Sequence, residues 1–413
     1  MKTRRVVVTG IGLTSPIGDS FDEVFDALRT QTSGIRIQES WKEIPQLRTF
    51  LSAPTPHSNL DFSKKEIRMM GRVSQLALRA TLDAIKDSAL SKEDYVSGRC
   101  GISYGSTQGS SEALLTFSTK VVNSGGLTGV RPSNYIKFMS HTCSVNLATF
   151  FGIRGRVITT CSACTSGSQG VGYAYEAIKF GKQDMMIAGG AEELHFSHAG
   201  VFDLLRATST NFNEEPELSP RPFDTKRDGL VVGEGAATLV LEGMEHALKR
   251  GAKIYCEVIG FGSTCDGIHM TNPNPRGMAS AMQAALDDAH LKNDALDYVN
   301  AHATGTRIGD VCESQASEMV LGKKVPISST KGLSGHTLGA AGALESIVSI
   351  VALQKNFLPA NSNLDTLDPE CAKLNYVRAS GDLASDPGAK VDIVMNNNFA
   401  FGGVNTSLIF RKI

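Results

Sequence analysis

The sequence predicts an α/β protein made of two similar halves. Short β-branched and apolar runs alternate with segments of helical length along the chain, as in sheets whose strands are joined by helices. The same order of elements then occurs a second time, which indicates a duplicated unit. We assign residues 1–250 to the first half and 251–413 to the second, since both lengths suit a domain.

Each half starts with a buried strand and closes with a β run that glycines interrupt. The first half has a strand at 4–12, an apolar-striped helix at 76–90, a strand and small-residue loop at 100–110, a strand–turn–helix unit at 156–182 and a β run at 228–243. The second half has the matching segments at 253–262, around 282–286, at 297–310, at 325–353 and at 391–410. The helices of the two strand–turn–helix units are rich in glycine and alanine and lack a polar face, so we expect them between two sheets. This predicts five layers, helix, sheet, central helices, sheet and helix, with largely parallel sheets.

Composition narrows the classes of partner and compartment. With 41% hydrophobic residues, 20% charged residues and a formal net charge of −1, the chain does not favour nucleic acid or an anionic membrane as its main partner. The basic amino terminus precedes only a three-residue apolar run, so we expect no secretory signal. We also expect no apolar run near the roughly 20 residues that span a bilayer. Eight scattered cysteines favour a reducing cytoplasm.

Cys164 stands at the junction of a β-branched strand and a glycine-rich helix. Unpaired N–H groups at a helix amino terminus favour thiolate, so this position predicts a nucleophile with a pKa below the usual value of about 8.5. The alternative is a small buried core residue. Gly167, Gly170 and Gly172 each cost about 1 kcal/mol relative to alanine inside a helix, which predicts that another element lies very close to this helix.

Two histidines and a lysine occupy comparable strand ends and helix starts in the second half, where α/β proteins usually bind ligands. His302 follows a strand in NAHATGT, and His336 precedes the second central helix in STKGLSGHTLG. Lys331 and Glu345 form a candidate buried ion pair. The pair either orients the site or only neutralises its own two charges. The remaining histidines considered are interpreted as structural or surface residues: His57, His195, His198, His246 and His290.

Cys161 and Cys164 form a C-x-x-C pair, which occurs in redox disulfides and as half of zinc sites. Zinc needs a second pair of ligands with suitable spacing, and none is present. In thioredoxin-like sites the first cysteine attacks, whereas here the second adjoins the helix. We therefore expect neither a metal nor a redox function. The glycines of TGIGLTSPIG do not complete a dinucleotide fingerprint, and there is no G-K-[ST] phosphate loop.

Four motifs together resemble the β-ketoacyl-acyl carrier protein synthases of the condensing-enzyme family: SACTSG, NAHATGTRIGD, STKGLSGHTLGAAGALES and NNFAFGGVN. The similarity extends from VVVTGIGLTSPIG to SLIF and is closest to 3-oxoacyl-[acyl-carrier-protein] synthase 2, with some character of polyketide ketosynthases. The resemblance implies a thiolase-like five-layer α-β-α-β-α fold from two duplicated halves. It also implies dimers in the cytoplasm.

The resemblance further implies a decarboxylative Claisen condensation. Cys164 would carry the acyl group, while His302 and His336 would together stabilise the enolate from malonyl-acyl carrier protein, with Lys331 and Glu345 as a supporting pair. The N–H groups of Cys164 and Phe401 would form the oxyanion hole, and Phe401 would act as a gate. Residues implied to bind pantetheine or acyl groups are Thr271, Thr304, Thr306, Phe202 and Gln108. Residues implied to receive the carrier protein are Lys64, Lys65, Arg68, Arg72 and Arg206, although a solvated helix face is the alternative for this cluster.

No resident cofactor is implied, because 4′-phosphopantetheine of acyl carrier protein carries the substrates. Departures from the pattern are HATGT, AFGGVN and the polar Gln108 near the implied acyl pocket, which suggest an unusual unsaturated or polyketide-like acyl chain, as in aryl polyene pathways. The enzyme would be a homodimer, or the catalytic subunit of a heterodimer with a chain-length factor. A degradative thiolase is disfavoured, because such enzymes usually have a second cysteine where this chain has Asn397 to Ala400.

Overall fold

The computed structural model of the protein describes residues 3–56, 61–382 and 390–413. His57 lies outside the described residues. Two groups of strands pack on opposite sides of two buried helices, and other helices cover the outer faces. The protein therefore has the five layers that the sequence predicts.

The strands belong to one long ladder and two small sheets. They are β1 (Val6–Thr14), β2 (Arg36–Ile37), β3 (Leu51–Ala53), β4 (Cys100–Gly105), β5 (Val157–Thr160), β6 (Met185–Glu192), β7 (Val232–Gly233), β8 (Gly235–Gly243), β9 (Cys256–Cys265), β10 (Tyr298–Asn300), β11 (Pro326–Ser328), β12 (Phe357–Leu358), β13 (Asn375–Tyr376), β14 (Gly381–Asp382), β15 (Ile393–Ala400) and β16 (Val404–Arg411). Strands β2, β3 and β7 form one small sheet, and β12 with β14 forms the other.

The long ladder shows the duplication directly. Its first half has the order β5-β4-β6-β8-β1, and its second half has β11-β10-β15-β16-β9, with β13 added at the outer edge. In both halves the first three strands are parallel and the last two pairings are antiparallel. Strands β1 and β9 also pair with each other, so the two halves are continuous. The domain boundary after residue 250 stays a prediction.

The expectation of largely parallel sheets is wrong for the middle of this ladder. The β run near the carboxyl terminus is a hairpin of β15 and β16, whose turn contains Gly402 and Gly403 at φ 87° and 70°. A tight turn of this kind can join only antiparallel strands. The parallel pairs are confined to the outer parts of the ladder, where helices connect the strands.

The helices are α1 (Phe21–Thr30), α2 (Arg72–Asp87), α3 (Lys92–Val96), α4 (Ser111–Ser124), α5 (Pro132–Phe138), α6 (Thr142–Phe151), α7 (Ser166–Lys179), α8 (Phe196–Leu204), α9 (Met244–Lys249), α10 (Pro275–Asp288), α11 (Arg307–Leu321), α12 (Lys331–Ser334) and α13 (Ala341–Lys355). Helices α7 and α13 are the central pair and contact strands of both halves. Helix α2 covers β1 and β8, while α10 covers β9 and β16.

The glycines of α7 explain how closely the central layer is packed. A Cβ on Gly167 would lie 2.8 Å from the backbone nitrogen of Ala343 in α13, so this glycine allows the two central helices to meet. Gly170 and Gly172 serve a different contact. A Cβ there would lie 2.5 Å from the Gly189 carbonyl and 2.2 Å from the Phe261 ring, so these two glycines face the strands.

One stretch of the described chain, residues 338–355, has the length and apolar composition of a membrane span. This differs from the expectation that no apolar run approaches that length. The stretch contains α13 and is 89% buried within the protein. It is apolar because it is the central helix of a five-layer fold.

Candidate active site

Cys164 lies in a single 3-10 turn, Ala163–Thr165, between β5 and α7. Ala163 has φ 50°, and Leu338 has φ 47° at the matching turn before α13. A side-chain-bearing residue rarely adopts this left-handed conformation, so both halves hold a tight turn at the start of their central helix. Cys164 is buried at 6% exposure, and it lines a cavity in the protein.

His336 lies beside this thiol. Its Nε2 is 3.0 Å from Cys164 Sγ, and its backbone is fixed by hydrogen bonds with Val231 and Gly233 of 2.7 and 2.9 Å. The His302 ring is 5.1 Å from the His336 ring at an angle of 83°. One donor atom from each of the three side chains lies within 4.8 Å of the other two. The structure thus brings together the nucleophile and the two histidines that the sequence selects.

His302 is held by a carboxylate that the sequence analysis missed. The backbone N–H groups of His302 and Ala303 donate to the two oxygens of Glu313 at 2.8 and 2.6 Å. Burial raises the pKa of Glu313 to about 8, with the two backbone bonds opposing this shift. Glu313 is in α11, eleven residues after His302, within the same motif region. The sequence contained a signal for this contact, because Glu313 is a carboxylate in the first helix after the strand that precedes His302.

Burial keeps the reactive groups uncharged. It raises the pKa of the Cys164 thiol to about 12, although the nearby Lys331 ammonium acts in the opposite direction. Burial also lowers the pKa of His302 and of His336 well below the usual range, and Lys331 adds to both shifts. The expected low pKa of Cys164 is therefore wrong, because desolvation of the thiolate outweighs the helix terminus. The free site holds a thiol and two neutral imidazoles.

Alkylation of Cys164 tests this protonation state. In a Cys161→Ala background, we expect the rate with iodoacetamide to keep rising between about pH 6 and pH 9, because the thiol remains protonated throughout this range. Mass spectrometry of the peptide that contains Cys164 gives the rate. A plateau near neutral pH would instead show a thiolate stabilised at the helix terminus.

Lys331 and Glu345 form a buried ion pair and hydrogen bond between α12 and α13. The Asn398 amide donates to the other Glu345 oxygen at 2.6 Å and lies 3.5 Å from His302 Nδ1. Burial raises the pKa of Glu345, while Lys331 opposes the shift. The pair therefore acts on both histidines through the Lys331 charge, and it also contacts His302 through Asn398. Sequence reasoning did not select Asn398.

Removing one member of this pair is expected to destabilise the fold. Lys331→Met leaves the Glu345 charge buried without its cation, and such a change costs about 3–5 kcal/mol. The exposed pair Lys323–Glu318 provides the control, because Lys323→Met should cost at most about 1 kcal/mol. Urea unfolding measures both free energies. Equal losses in the two variants would contradict a buried role for Lys331.

A cavity of about 460 Å³ connects the candidate catalytic side chains with the surface. Phe401 is 37% exposed, and its ring lies 5.3 Å from that of Phe202. The turn that carries Phe401 contacts the opposite wall, where Gly402 N–H donates to the Met270 carbonyl at 2.7 Å. Predicted residues that line this cavity are Cys164, His302, His336, Phe202, Arg206, Thr271, Thr304, Thr306 and Phe401.

Gln108 is absent from the described lining of this cavity. Its amide instead donates to Ser111 Oγ at 2.6 Å and lies 3.2 Å from His198 Nε2. Its role in acyl binding stays a prediction.

The candidate carrier-protein cluster divides into two groups. Lys64, Lys65, Arg68 and Arg206 are exposed. Arg72 is not an exposed cation, because its guanidinium donates to both oxygens of buried Glu234 at 2.7 and 2.8 Å. We therefore assign Arg72 a structural role and remove it from the carrier-protein cluster. The sequence around Arg72 could not predict this contact, because Glu234 is far away along the chain.

The structure bears differently on the two alternative roles of these cysteines, a redox disulfide and a metal site. All eight cysteines are free, and Cys161 Sγ donates to the Thr107 carbonyl at 2.9 Å, so Cys161 and Cys164 are not joined as a redox disulfide. Cys164, His302 and His336 are donors that suit a metal such as zinc. The expectation that no metal is used stays a prediction.

Family profiles match most of the chain. The N-terminal domain of β-ketoacyl synthases matches residues 3–247, and the C-terminal domain matches residues 255–365. A 3-oxoacyl-[acyl-carrier-protein] synthase 1 from Haemophilus influenzae is 38% identical over 413 residues. The alignment covers 99% of this chain and 99% of that relative. Curated relatives include both synthase 1 and synthase 2 enzymes.

Solved structures give the same relationship. A crystal structure of a β-ketoacyl synthase from Burkholderia phymatum has a TM-score of 0.94 and 48% identity, covering 99% of this chain and 100% of that one. The ishigamide ketosynthase/chain length factor has a TM-score of 0.90 and 32% identity, with 100% of both chains covered. These matches confirm the thiolase-like fold. The chain belongs to the β-ketoacyl synthase family.

Proposed function

We propose that this protein condenses an acyl group on Cys164 with malonyl-acyl carrier protein, giving 3-oxoacyl-acyl carrier protein and carbon dioxide. The observation that carries the proposal is the 3.0 Å contact between Cys164 Sγ and His336 Nε2, with His302 on the same cavity. A nucleophile and two neutral imidazoles suit acyl transfer followed by enolate formation.

The first step transfers the acyl group. Cys164 Sγ attacks the thioester carbonyl of the acyl carrier while its proton moves to His336 Nε2, the nearest base. The carrier thiol leaves with that proton, so the imidazole returns to its neutral form. We assign the oxyanion of the tetrahedral intermediate to the N–H groups of Cys164 and Phe401, a type of donor worth about 3–4 kcal/mol.

The second step forms the carbon–carbon bond. Malonyl thioester in the cavity loses carbon dioxide, and the electrons of the broken bond enter an enolate. Once Cys164 is acylated, His336 takes the tautomer that carries its proton on Nε2, and ring N–H groups of His302 and His336 donate to the enolate oxygen. Neutral imidazoles fit this role because their pKa values lie well below the usual range. The enolate carbon attacks the acyl thioester, and Cys164 sulfur leaves as a thiolate that takes one proton from water.

The cavity suits a pantetheine arm. Thr271, Thr304 and Thr306 line it between the mouth and the histidines, and their hydroxyls can hydrogen-bond the amides of the arm. We propose that acyl carrier protein brings every acyl group on this arm and that the enzyme needs no resident cofactor. The cytoplasm is the proposed compartment, within a fatty acid or a related polyketide or aryl polyene pathway.

The product test is direct. We expect purified enzyme, acyl carrier protein loaded with an acyl group, and malonyl carrier protein to give 3-oxoacyl carrier protein and carbon dioxide in equal amounts. Intact mass analysis measures the carrier products, and labelled malonate measures carbon dioxide. Acyl exchange without carbon–carbon bond formation would refute the condensing activity.

Carrier-protein docking makes a separate prediction. Charge reversal at Lys64 and Lys65 should raise KM for the carrier protein about 10-fold with kcat little changed, because exposed charges act mainly on encounter. Lys323→Glu is the control for a changed net charge. Arg72→Ala should instead lower stability, since it leaves the buried Glu234 carboxylate without its cation. An unchanged KM in the reversed variant would favour a solvated helix face.

A heterodimer with a chain-length factor is the second candidate assembly beside a homodimer. The ketosynthase/chain length factor structure, at 32% identity, supports this possibility. Purification from the native host followed by mass analysis distinguishes the two. A single chain of this sequence in the assembly supports the homodimer, and a second, related chain supports the heterodimer.

A further inference from the structure

His302 needs one particular tautomer for the enolate step. Its neutral ring carries a single proton, on Nδ1 or on Nε2, and only the nitrogen that faces the reacting oxygen can donate it there. The hydrogen-bond partner of the other nitrogen decides between the two tautomers. For His302 that other nitrogen is Nδ1, which lies 3.5 Å from the side-chain nitrogen of Asn398.

Asn398 lies in the interior behind the His302 ring. It is in β15, is fully buried and is absent from the described lining of the cavity. Its backbone is fixed in the β15–β16 hairpin, where the Thr406 hydroxyl donates to the Asn398 carbonyl at 3.2 Å. The amide therefore meets the ring on its buried side, and Nε2 is the nitrogen left for the reaction.

Glu345 decides which end of the Asn398 amide meets the imidazole. The amide nitrogen donates to one Glu345 oxygen at 2.6 Å, and the other Glu345 oxygen is paired with Lys331. Turning the amide over would place its carbonyl against this carboxylate, and two acceptors cannot form a hydrogen bond. The amide carbonyl instead accepts from the Asn396 side chain at 3.5 Å. The second N–H of the Asn398 amide is thus left for His302 Nδ1.

An N–H donor beside Nδ1 determines where the ring proton lies. Nδ1 has to be the acceptor, so the single proton of His302 is on Nε2. The same contact disfavours the imidazolium ion, because protonated Nδ1 would meet another N–H donor. Burial and the Lys331 charge act in the same direction and lower the pKa of His302.

We propose that Asn398 is a positioning residue that holds His302 as the neutral tautomer with its proton on Nε2, where it can donate to the enolate oxygen. This inference rests on the proposed condensing function. It also gives the buried pair of Lys331 and Glu345 a part in the reaction. The pair fixes the orientation of the amide, and the amide fixes the tautomer of the imidazole.

His336 differs from His302 in this respect. Its Nδ1 is buried without a hydrogen-bond partner among the described residues, so no neighbour fixes its proton. His336 uses this freedom, because its Nε2 accepts the Cys164 proton in the first step and donates to the enolate oxygen in the second. The two imidazoles are therefore held differently for their different roles.

Asn398→Leu tests the proposal, since it keeps the size of the side chain but removes both amide donors. We expect acylation of Cys164 within about 3-fold of wild type, but carbon dioxide release from malonyl carrier protein about 10²-fold slower, because His302 no longer holds its proton on Nε2. Asn397→Leu is the matched control. Asn397 is a buried neighbour whose carbonyl accepts from Ser407 Oγ at 2.7 Å, and its replacement should leave carbon dioxide release unchanged.

A second substitution distinguishes positioning of the imidazole from a structural role. In a His302→Ala background, Asn398→Leu should cause no further loss of carbon dioxide release, because both residues act through the same ring. A further loss as large as the one in wild type would overturn the proposal, since Asn398 would then act without His302.

NMR of protein with ¹⁵N-labelled histidine measures the tautomer without turnover. We expect His302, identified by the signals that His302→Ala lacks, to carry its proton on Nε2 in wild type. Asn398→Asp replaces the donor with a carboxyl oxygen, so it should move the proton to Nδ1, and it serves if the leucine variant does not fold. A proton on Nδ1 in wild type, or on Nε2 in both Asn398 variants, would overturn the assignment. Failure of every acyl carrier to load Cys164 would instead refute the condensing function, while the spectrum would still show the tautomer.

Discussion

Replacing Cys164 with alanine is expected to abolish acylation and to lower the condensation rate by about 10⁴-fold or more, since no second nucleophile can form the thioester. The structure gives this variant a close control. Cys161 is three residues away, but its Sγ donates to the Thr107 carbonyl and is absent from the described cavity lining. Cys161→Ala should therefore acylate at close to the wild-type rate.

Intact mass after incubation with acyl carrier protein separates the two cysteines. One acyl group on wild type and on Cys161→Ala, with none on Cys164→Ala, is the expected pattern. The opposite pattern would move the nucleophile to Cys161 and would restore the C-x-x-C interpretation. Circular dichroism of each variant should match wild type, because the change removes one sulfur atom and creates only a small cavity.

The sequence predicts the candidate catalytic side chains because they lie at element junctions that repeat. Cys164 and His336 precede the two central helices, and His302 follows the end of strand β10 in the second half. Local patterns are sufficient to find such junctions, since the strand and helix periods change there. The duplicated strand order follows from the same patterns, as the equal arrangement of the two halves confirms.

Contacts between distant residues could not be predicted in this way. The roles of Glu313 and Asn398 depend on which backbone groups and carboxylates meet inside the fold. An arginine such as Arg72 is usually a surface cation. Its guanidinium instead forms an ion pair with Glu234, which is distant in sequence. The pKa of Cys164 depends on burial, which an isolated helix start does not reveal. Tertiary desolvation outweighs the local effect in that case.

The two histidine variants are expected to fail at different steps. His302→Ala should acylate normally but release carbon dioxide about 10²- to 10³-fold more slowly, because it lacks one donor to the enolate oxygen. His336→Ala should show the same loss and also acylate about 10²-fold more slowly, since it lacks the base beside the thiol. The sequence alone assigns both histidines to the decarboxylation step. The 3.0 Å contact between His336 Nε2 and Cys164 Sγ gives His336 a second role in acylation.

Single-turnover experiments distinguish these outcomes. Acylation is followed by intact mass with acyl carrier protein alone, and carbon dioxide release is followed with labelled malonyl carrier protein on pre-acylated enzyme. His290→Ala, an exposed position after α10, should leave both rates unchanged. Normal acylation in His336→Ala would mean that the buried thiol reacts without this base. The helix terminus would then have to supply the activation, and the alkylation rate of Cys164 should show a plateau near neutral pH.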